Sequence, residues 1–257
     1  MKKPGICQLC LQQKELISSS HIIPEFMYKP LYDINNQMFM KFLERPGNIV
    51  KRVQTGIFDK HILCEDCDNR LIGQLEHYFA SILFDNKTKG LNIHGTQDPN
   101  GTHVVNVSGL NYPMFKLFLL SILWRAHISK NSFFQKIDIQ SNAETFRKMI
   151  LNRDPGRDVL FRIAVAAIKD KSGGLVRLVT TPEVKNLGGG LFTTFVINGF
   201  IYFIDLQPAS TFRLFDKYPL LENGEIRIPV IHGKLANDLL KGLGIGGDMA
   251  DYFTDSN

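Results

Sequence analysis

Four cysteines are the residues of this chain whose spacing points most directly to chemistry. They form two Cys-x-x-Cys pairs, Cys7 with Cys10 and Cys64 with Cys67, within the first quarter of the 257 residues. A two-residue spacing lets each pair chelate from one tight turn, and four thiolates in a tetrahedral array are typical of structural zinc. Disulfides need an oxidising compartment, and a redox motif would leave one pair unexplained. The sequence therefore predicts one Zn²⁺ held by all four cysteines.

The elements that hold these cysteines can be inferred from the apolar pattern. Residues 69–84 repeat apolar side chains at helical spacing directly after Cys67, with Asp68 as N-cap or first-turn acid. The segment 16–23, LISSSHII, ends at a proline and is typical of a strand or turn edge. We call each Cys-x-x-Cys turn a knuckle. A first knuckle, a β-like segment and a second knuckle from which a helix begins are the arrangement of a treble-clef zinc finger. Residues 25–60 are predicted to be an inserted loop with some helix near 25–31.

The rest of the chain changes from helical to β-rich patterns. We predict a loop at 85–101, a buried helix at 113–129, a third helix at 133–152 and a short helix at 234–243. The dipeptide Asn198-Gly199 between two β-rich runs predicts a hairpin, because both turn residues must accept positive φ. A four-stranded antiparallel sheet is expected over 158–205, with strands at 159–168, 175–180, 192–197 and 200–204.

These patterns predict an α+β protein of two domains. The first is a treble-clef zinc module at 1–90, and the second is a helical plus antiparallel β-sheet domain of unknown role at 91–257.

Nineteen Phe and 44% hydrophobic residues exclude a disordered chain. The longest strongly apolar stretch, 117–124, is far shorter than the roughly 20 residues of a membrane span. The basic start, MKKPGICQLC, lacks the apolar part of a secretory signal. We therefore expect a cytoplasmic protein with no membrane partner; its oligomeric state is open.

Several motifs together resemble the HNH (ββα-metal) endonuclease family. They are the two Cys-x-x-Cys pairs, the segment Ser20-His21-Ile22-Ile23-Pro24, Leu63 before the second pair, and Glu76-His77-Tyr78-Phe79 on the following helix. More narrowly, the chain resembles bacterial proteins of unassigned role that carry the Ser-His-Ile-Ile-Pro segment. A later stretch with Trp124-Arg125 also looks like that group, so the resemblance covers about residues 5–130.

The resemblance implies a metal-dependent nuclease. In the family the histidine before Ile-Ile-Pro is the general base that activates water for attack on phosphorus, and it corresponds to His21. Imidazole is largely neutral and basic at cytosolic pH, which suits that task. A divalent metal, Mg²⁺ or Mn²⁺, would bind the scissile phosphate and stabilise the leaving oxygen.

Two positions depart from the family pattern. Ser20 stands where the family usually has an acidic or histidine metal ligand, and a neutral hydroxyl is a poor Mg²⁺ ligand. Asp68 stands where the family usually has His or Asn, and its carboxylate can supply the missing ligand from the helix side. Asn69 and Glu76 are seven residues apart, hence about 20° apart around an α-helix. We expect Asn69 to orient His21 and Glu76 to be a further ligand or orienting acid.

The expected partner is nucleic acid, with DNA as the substrate. Residues 1–60 hold nine Lys or Arg against five Asp or Glu, which suits phosphate contact. Lys41, Arg45, Lys51 and Arg52 are the candidate backbone contacts. The first hypothesis is a DNA endonuclease of bacterial defence or of a mobile element. The alternative is a zinc-stabilised nucleic-acid or protein binding module without catalysis, which the serine at position 20 favours.

Overall fold

The computed structural model describes residues 2–35, 38–41, 50–84, 90–135, 137–207 and 211–244. Two units divide the chain, and each combines two of its segments. Unit 1 consists of Met1–Lys87 and Pro113–Pro155, and unit 2 of Thr88–Tyr112 and Gly156–Asn257. The sequence pattern predicts one boundary near residue 90. It gives no sign that residues 113–155 belong to the same unit as the N-terminal segment.

Unit 1 begins with short antiparallel strand pairs. Its strands are β1 (Lys3–Ile6), β2 (Gln13–Leu16), β3 (Ser20–His21), β4 (Met38–Lys41), β5 (Val50–Val53) and β6 (Phe58–Asp59). Strand β1 pairs with β2, β3 with β6, and β4 with β5. Two 3₁₀ turns, Glu25–Met27 and Lys29–Leu31, follow β3, where some helix was expected. The segment predicted as an inserted loop therefore contains local structure, including a strand that pairs with the one carrying His21.

The helix after the second cysteine pair has an unusual first half. A π-helical stretch covers Asp66–Ile72 and leads directly into α1 (Gly73–Phe84). The predicted helix is confirmed, but its first turns are wider than an α-helix, whose period was used to place Asn69 and Glu76 on one face. Single π-turns inside helices are frequent at functional sites.

Two further helices complete unit 1. Helix α2 (Tyr112–Ile128) is buried along most of its length, as predicted. Phe118 of α2 stacks on Phe79 of α1 with ring centroids 4.0 Å apart. Helix α3 (Asn142–Asn152) is shorter than the predicted third helix. A 3₁₀ turn at Ser132–Phe134 precedes it, and Gln140 has a positive φ of 51°, which is incompatible with a continuous right-handed helix.

Unit 2 contains a seven-stranded sheet in the order β10-β11-β12-β9-β13-β8-β7. Its strands are β7 (Asn92–Gln97), β8 (His103–Ser108), β9 (Ile163–Ile168), β10 (Glu183–Leu187), β11 (Gly190–Ile197), β12 (Phe200–Asp205) and β13 (Ile226–Ile231). Only β9 and β13 pair in parallel. Helices α4 (Leu214–Lys217) and α5 (Gly233–Gly242) contribute Phe215, Ala236 and Leu240 to an apolar core with β9, β11 and β12. The α+β class and the short C-terminal helix are confirmed.

Two predicted elements of unit 2 are corrected. Residues 175–180 form isolated bridges rather than a strand, because their backbone bonds are divided between Ile168 on one side and Val196 on the other. The fourth strand of the region 158–205 is β10 instead. Residues 92–97, predicted to be loop, form the edge strand β7, whose six residues are all exposed and therefore carry no apolar alternation.

Candidate metal centre and the surroundings of His21

The four cysteines meet at one site of unit 1. Cys7 and Cys10 lie at the turn between β1 and β2, and Cys64 and Cys67 lie where the helix begins. An antiparallel bridge between Leu16 and Cys64 brings the two knuckles together. All four sulfur atoms lie within 4.8 Å of one another. A tetrahedral Zn²⁺ with 2.3 Å bonds has sulfur–sulfur edges of about 3.8 Å, so the four thiolates fit such an ion.

Hydrogen bonds to the Sγ atom of Cys7 favour the thiolate form of this one cysteine, which is the form that a metal needs. The backbone N–H of Cys64 lies 3.4 Å from the Sγ atom of Cys7. The Cys67 thiol has the largest effect and lowers the pKa of Cys7 to about 4, and backbone N–H groups of Leu9, Cys10 and Cys64 act in the same direction. The same thiol contact raises the pKa of Cys67. A divalent cation needs deprotonated thiols, and the close contact between these two sulfurs is the arrangement in which a metal ion would replace protons.

The carboxylate of Asp68 is directed towards Ser20. Its Oδ1 atom accepts a hydrogen bond from the hydroxyl of Ser20, whose side chain is fully buried. Ser20 and His21 are neighbours on β3, and successive side chains of a strand point to opposite faces. The structure therefore pairs Asp68 with Ser20, on the face of β3 opposite the imidazole.

The imidazole of His21 has its own carboxylate partner. Its Nε2 atom lies 3.2 Å from Oε2 of Glu25 and 3.4 Å from the hydroxyl of Thr55. About a third of the His21 side chain, 31%, is exposed, so the ring is open to solvent on one side. A carboxylate oxygen accepts hydrogen bonds, so this contact suits the tautomer of His21 that carries its proton on Nε2 and has Nδ1 as the acceptor.

Glu25 is held in place by donors from two other segments. The backbone N–H of Gly56 donates to Oε2 over 2.8 Å, and the Tyr32 hydroxyl donates to Oε1. Burial, followed by this contact with Glu25, raises the pKa of Tyr32, so the phenol stays protonated as a donor. The carboxylate is thus fixed before any ligand binds, which is the arrangement of an orienting acid.

A buried arginine joins His21 to the helix. Arg125 of α2 is 1% exposed, and its Nη1 atom donates to the backbone carbonyl of His21 and to Oε1 of Glu76, both over 2.7 Å. Glu76 is therefore engaged in an ion pair, and Arg125 is a link between β3 and α1. The partner expected for a buried arginine in this helix is thus Glu76.

Asn69 and Glu76 lie in different surroundings. Asn69 is exposed and lines an open cleft of about 450 Å³ together with Gly73, Gln74, His77, Tyr78, Ser81 and Met114. Glu76 is directed towards Arg125 instead. The π-turns before α1 change the angular relation that an ideal α-helix would give these two residues.

Of the candidate metal ligands, only the cysteines are close to one another in the described part of the chain. Among the residues that the structure describes, the four cysteines are the one cluster of three or more His, Cys, Asp or Glu side chains close enough to hold a metal ion. His21, Asp68 and Glu76 do not form a second such cluster within the described residues.

The candidate nucleic-acid contacts are mostly not described: Arg45 lies outside the described residues. Lys41, Lys51 and Arg52 belong to the antiparallel strands β4 and β5, and their side chains lie outside the described part.

Three residues around His21 were missed by sequence reasoning. His21 and Glu25 are four residues apart, but His21 lies in strand β3 and the 3₁₀ turn begins only at Glu25, so no helical periodicity in the sequence indicates the pair. Tyr32 reaches Glu25 through the two 3₁₀ turns between them, whereas Thr55 comes from a segment thirty residues later, which only the tertiary fold brings to Glu25.

The chain was compared with protein-family models, with curated proteins and with solved structures, and none of the three comparisons gives a match. Within the described ranges, no helix combines the length and the apolar character that crossing a membrane requires.

Proposed function

We propose that unit 1 is a zinc-stabilised, HNH-like treble-clef module that hydrolyses phosphodiester bonds in DNA with His21 as general base. The observation that supports this most is the contact between Nε2 of His21 and the Glu25 carboxylate. A base whose second nitrogen is oriented by a fixed carboxylate, on a partly exposed ring, is suited to taking a proton from water.

The chemistry of the proposed step follows from this tautomer. Nδ1 of His21 accepts a proton from a water molecule while the water oxygen attacks phosphorus. The imidazolium that forms is stabilised by the negative charge of Glu25. The P–O bond opposite the attacking oxygen breaks, and the leaving oxygen takes a proton from solvent.

The expected Mg²⁺ or Mn²⁺ ion does not fit Asp68 and Glu76, the two carboxylates that the sequence offers as its ligands. Asp68 accepts the Ser20 hydroxyl, and Glu76 is paired with Arg125. Both carboxylates are thus committed to neighbours within the fold. The proposal therefore gives these two residues structural roles and assigns the catalytic role to His21 with Glu25.

A plasmid-nicking assay tests the proposed base. The wild-type protein is incubated with supercoiled plasmid in a series of buffers that contain Mg²⁺, Mn²⁺ or EDTA. We expect it to convert the plasmid to the open-circular form. His21→Ala should lower the rate by at least about 100-fold, because general-base catalysis contributes roughly 10²–10⁴-fold. His94→Ala is the matched control, since His94 is exposed on the edge strand β7. Equal nicking by His21→Ala and wild type would remove His21 from the mechanism.

A second variant tests the orienting acid. Glu25→Gln keeps the size of the side chain but removes the charge that stabilises the imidazolium, so we expect a rate loss of about 10-fold or more. Glu15→Gln, on the exposed side of β2, is the control. An unchanged rate in Glu25→Gln would contradict the proposed pair.

One observation favours a binding module without catalysis. Asp68 and Glu76 are both engaged in contacts that hold β3, α1 and α2 together, as expected of a scaffold. If wild-type protein nicks no plasmid in any of these buffers but binds labelled duplex DNA with a strong dependence on salt, this second function is supported. Failure in both assays would contradict the nuclease and the DNA-binding module, and of the alternative it would leave a protein-binding module.

A further inference from the structure

We infer that Arg147 is a positioning residue of the cysteine metal centre, which it serves from α3 by fixing the first knuckle. Its Nη1 atom donates to the backbone carbonyl of Leu9 over 2.6 Å. Leu9 lies between Cys7 and Cys10, and its side chain is fully buried. The inference depends on the metal centre and is independent of any nuclease activity.

The guanidinium is itself rigidly held. Its Nε and Nη2 atoms each donate over 2.7 Å to the two carboxylate oxygens of Glu144, one turn earlier on α3. This bidentate pairing fixes the plane of the guanidinium. The side chain of Arg147 is only 11% exposed, so the arginine reaches the knuckle as a largely desolvated and oriented donor. A lysine at this position could not make both contacts in the same way.

Two physical effects would stabilise the metal-loaded form. First, the bond to Leu9 restricts the backbone of the Cys-x-x-Cys turn, which must keep two sulfurs in a tetrahedral arrangement. Second, four thiolates around one Zn²⁺ leave a net charge of about −2, and Arg147 brings a positive charge to it. Glu144 raises the pKa of Arg147 most, and Cys10 acts in the same direction, which places the guanidinium within the field of that sulfur.

Hydrogen bonds around a metal site typically change metal affinity by about 10- to 100-fold. The experiment therefore measures zinc retention in the full chain. Zinc-loaded wild type and Arg147→Met are mixed with an excess of a chromophoric chelator, and zinc transfer is followed over time. We expect Arg147→Met to lose zinc about 10-fold faster than wild type. Arg147→Lys, which keeps the charge but not the fork, should lie between them.

Lys148→Met is the matched control. It removes a positive charge from the neighbouring position of α3, where the side chain is 63% exposed and its Nζ atom lies 3.6 Å from Oε1 of Glu144. Because both hydrogen bonds between Arg147 and Glu144 remain, this variant should release zinc at the wild-type rate. Zinc release from Arg147→Met within twofold of both wild type and Lys148→Met would overturn the inference.

A second measurement separates this role from a general contribution to folding. The thermal unfolding midpoint is determined for each variant with saturating zinc and after chelation. A purely structural arginine would lower both midpoints equally, whereas the inferred role predicts a larger loss in the zinc-loaded form. If Arg147→Met does not fold, the same comparison is made with Arg147→Lys, and equal losses in its two forms would again overturn the inference.

Discussion

The buried hydroxyl of Ser20 donates a hydrogen bond to the carboxylate of Asp68. The bond joins strand β3 to the π-helical stretch that begins at Asp66. A carboxylate at position 20 would face the carboxylate of Asp68 at this point, whereas serine supplies the donor that Asp68 needs. The two residues are therefore a complementary pair, and the pair connects strand β3 to the start of the helix.

The Ser20–Asp68 hydrogen bond predicts that substitutions at these two positions lower the free energy of unfolding by different amounts. Ser20→Ala leaves a partly buried carboxylate without its donor and should cost about 1–3 kcal/mol of unfolding free energy. Asp68→Asn keeps an acceptor oxygen and should cost less than about 1 kcal/mol. Urea denaturation measures both. If Asp68 instead held a catalytic metal, Asp68→Asn would abolish metal-dependent nicking while leaving stability unchanged.

Removal of zinc should unfold unit 1, whose first strands and first helix meet at the cysteines. The purified chain is expected to contain one zinc ion, and its four thiols should react with a thiol reagent only after chelation. At free zinc about 1,000 times the Kd, binding stabilises the folded form by about 4 kcal/mol. Cys64→Ser should lose this zinc-dependent stabilisation. A melting curve that is indifferent to chelator would count against the metal centre.

Asp98 should make unit 2 sensitive to acid. Its buried carboxylate accepts from Lys217 over 2.6 Å and from the Tyr218 hydroxyl over 2.9 Å. The Lys217 contact is the main cause that holds the pKa of Asp98 well below its usual range. Because the folded-state pKa is depressed, the stabilisation is fully present above the unfolded value of about 4 and is lost as the pH falls below it. Asp98→Asn should therefore melt at a lower temperature at pH 7 and show a smaller further loss between pH 5 and pH 3.

The control for this pH series is Asp238→Asn, because Asp238 is exposed on α5. Its melting temperature should follow the wild-type pH dependence. Parallel curves for Asp98→Asn and wild type across the whole pH range would contradict the proposed contribution of Asp98.

Gly199 should not tolerate a side chain. It forms the hairpin between β11 and β12 with a φ of 82°, and a Cβ atom there would lie 2.7 Å from Cβ of Leu175. Gly199→Ala should cost about 2 kcal/mol or more, because both the backbone conformation and the space oppose it. Gly242→Ala in α5 is the control: a Cβ atom meets nothing within 4 Å there, and alanine should raise helix stability by up to about 1 kcal/mol. Chemical denaturation of the two variants decides between these outcomes.

Elements with a strong local signal were predictable from the sequence. The apolar run of α2, the Asn198-Gly199 hairpin and the amphipathic α5 all carry their pattern within a few consecutive residues. Strand β7 was missed for the opposite reason: it lies at a sheet edge with all its side chains exposed, so no apolar period marks it. The π-turns after Cys67 were also unpredictable, because an α-helical and a π-helical segment share the same composition.

The sequence by itself predicted that the four cysteines form one metal site, because two Cys-x-x-Cys pairs have few other uses in one chain. The structure brings their sulfur atoms within 4.8 Å of one another, close enough to hold a metal ion such as zinc. The sequence also identified His21 as the candidate base through its neighbours. Only the tertiary structure decided what surrounds that histidine. Glu25, Tyr32 and Gly56 meet because two segments fold over β3, and Arg125 reaches the His21 carbonyl from a helix about a hundred residues later in the chain. Such contacts depend on packing between distant segments, which local spacing does not encode.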